Sequence, residues 1–151
     1  MNWAAFGAVG EIVGAGAVVV TLLVLITQLR QNTAEMRAAT VQSLLESSTE
    51  LFTQTISSPI PEIIGKQQKG ETLTGADEYR LFMFHRRNFQ LFEQVYLQYL
   101  QKRVSQEVMD AYRQRILSHV SNARWEEYWA AIKPLATRSF VIYVEQVSND
   151  V

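Results

Sequence analysis

Three groups of side chains in this sequence could do chemistry: a carboxylate inside an apolar run, two histidines, and two pairs of arginines. Glu11 is the one charge between Trp3 and Thr27. An ionisable group within a membrane span is costly and marks a candidate ion or proton pathway; at headgroup level the same group has only a packing role. His85 and His119 have no histidine or carboxylate three or four residues further on, so a metal would need ligands from elsewhere. No H-E-x-x-H pattern is present. Arg86-Arg87 and Arg113/Arg115 could converge on a phosphate, but the near-neutral charge balance favours solvated or salt-bridged faces. Gly-rich phosphate loops, a nucleophile elbow and a catalytic acid pair are missing. With no cysteine there is no thiolate, disulfide or cysteine metal site. The sequence therefore assigns no catalytic, cofactor or metal residue and predicts a protein that is not an enzyme.

The element that carries Glu11 is the run from Trp3 to Thr27, long enough to cross a hydrocarbon core of roughly 20 helical residues. From Ile12 to Ile26 it lacks the polar stripe of a globular core helix. No Lys or Arg precedes it and no small-residue cleavage site closes it, so it reads as an uncleaved transmembrane span over residues 1–29 rather than a signal peptide. Gly7, Gly10, Gly14, Ala17 and Thr21 follow steps of three and four and form a small-residue seam, which lets two membrane helices approach closely. Glu11 adjoins that seam. Arg30 and Arg37 follow the span and predict a cytoplasmic C-terminal part with a periplasmic N-terminus. With Trp3, these two arginines are candidate lipid contacts.

The 151 residues leave room for one further domain, over 30–151. All 14 Lys and Arg and every acidic residue except Glu11 lie beyond the span. Such a balance is not the basic footprint of a nucleic-acid binder. From Ala17 to Ser57 there is neither Gly nor Pro, so the span continues as one long helix to about residue 57, with Val41, Leu44, Leu45, Ser48, Leu51, Phe52 and Ile56 as its core face. The Pro- and Gly-containing stretch 58–74 predicts a loop. Helices follow over about 75–103, 105–121, 123–133 and 139–148, the first two capped by Thr74 and Ser105. The helix over 75–103 has two apolar faces, which predicts a central position. The expected fold is all-α: one transmembrane helix running into a cytoplasmic bundle of four to five helices.

Several motifs carry a resemblance. The opening W-x-x-x-G-A-x-G-E-I-V-G-A spans Trp3 to Ala15, and Q-L-R-Q-N-T follows at Gln28 to Thr33. Further on stand L-T-x-x-x-E-x-R from Leu73 to Arg80, W-x-x-x-W at Trp125 and Trp129, and S-F-x-x-Y-V-E from Ser139 to Glu145. Across nearly its whole length the chain resembles an uncharacterised family of short single-span bacterial membrane proteins. The resemblance implies a bacterial inner-membrane setting and this helical layout, and it transfers no activity, cofactor or catalytic residue. The expected role is a homo-oligomeric membrane protein, a scaffold or sensor, whose partners are the bilayer, further copies of itself and an unidentified protein. A small oligomeric cation channel with a ring of Glu11 carboxylates is the alternative. A membrane-anchored enzyme is a second alternative, with none of the usual signatures behind it.

Overall fold

The computed structural model describes residues 3–122 and 124–149, and of residues 3–6 and 8 the backbone only. It is all-helical, with six α-helices and no strand among the described residues. Two compact units divide the chain, residues 1–39 and 40–151.

Helix α1 (Trp3–Ile56) passes through both units, as the absence of breakers after Gly16 predicts. From Val9 to Ile26 it is apolar on all faces but for the single charge of Glu11. Val9, Ile12, Val13, Val18, Val19, Val20 and the run Leu22 to Ile26 are all exposed. The stretch from Val9 onward holds a window of mean hydropathy 2.4 with no residue buried, which makes α1 a candidate transmembrane helix.

In the second unit, Ser57, Ser58 and Pro59 end α1, the Ser58 hydroxyl donating to the Thr55 carbonyl at 2.8 Å. Helix α2 (Ile60–Gln68) occupies the stretch whose sequence predicts a loop. Its prolines stand at Pro59 and Pro61, cap and first turn, where a missing N–H costs no helix bond. Ile60 and Ile63 bury one face, and Lys66 pairs with Glu62 across one turn at 2.9 Å. Gly70, at φ +71°, closes it: the Glu71 N–H reaches the Lys66 carbonyl at 3.0 Å.

Helix α3 (Gly75–Leu100) begins with a capping box. The Thr74 hydroxyl accepts from the Asp77 N–H at 3.2 Å, and the Asp77 carboxylate accepts from the Thr74 N–H at 3.3 Å. It ends at Leu100, short of the predicted 103, because Lys102 turns left-handed at φ 58° and the Arg103 N–H bonds back to the Gln98 carbonyl. Helices α4 (Gln106–Val120), α5 (Trp125–Ile132) and α6 (Arg138–Ser148), with a 3-10 turn over Lys133–Leu135, complete the unit. Ser105 caps α4 by accepting from the Val108 N–H.

Helix α3 is central, in contact with α2, α4, α5 and α6. Leu81, Phe89, Phe92 and Val95 of α3 meet Ile63 of α2, Tyr112 and Ile116 of α4, Trp125 and Trp129 of α5, and Phe140 and Val144 of α6 in one core. Trp129 Nε1 is buried there without an acceptor among the described residues. Helix α1 gives this core one buried apolar side chain, Leu44. Leu45, Phe52 and Ile56, expected on its core face, are instead 58%, 66% and 58% exposed. They stand about 100° around the helix from Leu44, Ser48, Leu51 and Thr55, so docking the one stripe leaves the other open.

Candidate functional site

The second unit brings together the two histidines that lie 34 residues apart in sequence. His85 of α3 and His119 of α4 face each other with Nδ1 atoms 3.1 Å apart. Two neutral rings satisfy that contact when one Nδ1–H donates to the lone pair of the other. The surroundings enforce neutrality. His85 is 6% exposed and stacks on Tyr128, ring centroids 4.2 Å apart, while Phe84, Phe89 and Phe92 surround His119. Arg124, at the start of α5, has its guanidinium over the Tyr128 ring, 5.3 Å from the ring centre. Burial pulls the pKa of His85 down to about 4, helped by His119 and the Arg124 cation. Burial does the same to His119.

Arg124 is itself held by Glu78 at 2.7 Å and by Glu127 at 2.7 Å, which joins the beginnings of α3 and α5. These bonds raise the Arg124 pKa and lower that of Glu127. The order Arg124, Tyr128, His85, His119 thus runs from the surface through the core.

Beyond His119 the order opens into a groove of about 550 Å³ between α1, α3 and α4. Leu45, Leu51 and Phe52 of α1 and Phe84, Leu91 and Phe92 of α3 wall it. Arg115 of α4 marks one end, donating to the Ser48 hydroxyl at 3.0 Å with its guanidinium 4.5 Å from the centre of the Tyr112 ring. Ser48 and Tyr112 share a further hydrogen bond of 3.2 Å. Arg87 bonds instead to Gln54 of α1, so Arg87 and Arg115 serve two different residues of that helix.

Of the other residues singled out by sequence, Gly7, Gly10 and Gly14 have open space where a Cβ would stand. The Thr21 hydroxyl returns to the Ala17 carbonyl at 2.8 Å, so it is satisfied within its own helix. Glu11, Arg30 and Arg37 are exposed on α1. The side chain of Trp3 lies outside the described residues. No group of three or more His, Cys, Asp or Glu among the described residues is placed to hold a metal ion. Sequence spacing could not reveal the histidine pair, because neither partner has a neighbour of its own kind on its helix.

Fold and site together define an all-helical protein with one candidate transmembrane helix. No family model matches the chain, and neither the curated proteins nor the solved structures give a significant match.

Proposed function

We propose that this protein is anchored in a bacterial inner membrane by α1, assembles with copies of itself, and uses its second unit in the cytoplasm as a scaffold or sensor without catalysing a reaction. The observation that carries the reading is the all-round exposure of large apolar side chains from Val9 to Ile26, a surface suited to lipid and costly in water. The steps of three and four that put Gly7, Gly10 and Gly14 on one side of α1 support close helix approach between copies. Arg30 and Arg37, which follow the span closely, support a cytoplasmic second unit.

Carbonate washing of membranes should leave the full-length protein in the pellet, and a freely soluble product removes the anchor. A single cysteine at Ser118, in a chain with no other cysteine, should be protected from impermeant reagents in intact cells. Ready labelling there reverses the orientation. Chemical crosslinking in native membranes should give oligomers that the pair Gly10→Leu and Gly14→Leu abolishes. Monomer alone in both proteins ends the assembly reading.

A further inference from the structure

We propose that the groove between α1, α3 and α4 binds a long-chain carboxylate, with the head on Arg115 and the tail along the apolar walls. It deepens the sensor reading above and rests on it for its biological use. Six apolar side chains wall the groove, and two of them, Leu45 and Phe52, are left mostly to solvent. Its volume of about 550 Å³ falls within the range of small-molecule sites, roughly 300–1,000 Å³. No Asp or Glu lines it, and Arg115 is its cation. Among the described residues Arg115 has no carboxylate partner: one Nη donates to Ser48 while the remaining N–H groups of the fork are spare.

A planar guanidinium with spare donors matches a carboxylate in two-point contact. One cation balances one negative charge, whereas a phosphate monoester would bring nearly two. The Ser48 and Tyr112 hydroxyls beside the guanidinium offer the head further hydrogen bonds. A second copy of the chain filling the groove with apolar side chains would cover Phe52 but leave Arg115 unmatched.

The test uses full-length protein in phospholipid nanodiscs and hexadecanoic acid carrying a mid-chain diazirine, with sites of labelling mapped by mass spectrometry. Label is expected on residues 45–55 and 84–92, competed by hexadecanoate and not by hexadecanol. Arg115→Gln should weaken labelling about tenfold, the loss of one charge-assisted contact, while Arg115→Lys keeps most of it. Label confined to residues 9–29 means bilayer partitioning only and overturns the proposal. Equal competition by hexadecanol, or labelling indifferent to Arg115→Gln, also overturns it. So does a Phe52→Cys protein that forms disulfides between copies which hexadecanoate does not suppress. If Arg115→Gln fails to fold, the comparison of the two competitors decides. Groove labelling retained in a Gly10→Leu/Gly14→Leu protein that no longer assembles supports the groove as a site within one chain, whereas monomer alone in both proteins with labelling retained ends the assembly reading and leaves the groove standing.

Discussion

The neutral state of His85 and His119 makes stability a function of acidity. Both are held near pKa 4 in the folded chain against about 6.5 when unfolded. The unfolded chain therefore binds more protons between these values, and folding free energy falls as pH drops from about 6.5 to about 4. Above 6.5 both states are neutral and the effect is absent. At about 1.4 kcal/mol per pKa unit for each ring, the pair should contribute on the order of 5 kcal/mol of such loss by pH 4.5, the charge on one ring adding to the cost of charging the other in the folded chain. Denaturant melts at pH 7 and pH 4.5 measure it. His85→Gln with His119→Phe should remove most of the difference, and a wild-type difference that survives both changes assigns the acid sensitivity to other groups. Asp77 also carries a depressed pKa from the Thr74 hydroxyl, but its stabilisation is lost at lower pH, below the usual carboxylate range.

At the scale of elements, local signals were legible and long-range ones were not. Thr74 and Ser105 announce their helices because a cap is written within four residues. Helix α2 stays hidden because Pro59, Pro61 and Gly65 are breakers by composition, and only their positions within the first turn and on an amphipathic segment make them compatible with a helix. The end of α3 is equally silent: a left-handed residue usually advertises itself as Gly, and here it is Lys102. The two ends should respond in opposite directions. Thr74→Ala should cost about 1 kcal/mol by orphaning the Asp77 N–H. Lys102→Gly should stabilise by about 0.5–1 kcal/mol by relieving the positive φ. Denaturation midpoints of the two single variants check both signs, and a destabilised Lys102→Gly shows that the lysine side chain has a partner worth more than the strain.

At the scale of the molecule, the core of the second unit was readable as a set of apolar faces but not as a set of neighbours. Leu81, Phe92, Ile116, Phe140 and Val144 are buried as their spacing implies. Periodicity alone could not say that α1 would dock by Leu44 and leave Leu45 and Phe52 out, because both stripes satisfy a helical repeat. That choice follows from how α3 and α4 already pack, which is tertiary information.

The slender docking of α1 gives the second unit an internal order of opening. Burying Leu44 stabilises by roughly 1.5–3 kcal/mol. The bonds from Arg115 to Ser48 and from Arg87 to Gln54 add about 1 kcal/mol apiece at most, since both arginines are exposed. Backbone amides of α1 over residues 44–56 should thus exchange with deuterium well before those of α3 around Leu81 to Val95, whose release requires breaking the whole core. Uniform protection across both helices would mean that α1 opens only with global unfolding. The slower helix then serves as a clock against which the faster one can be read. Any molecule that settles against α1 will announce itself first as a delay in those thirteen residues.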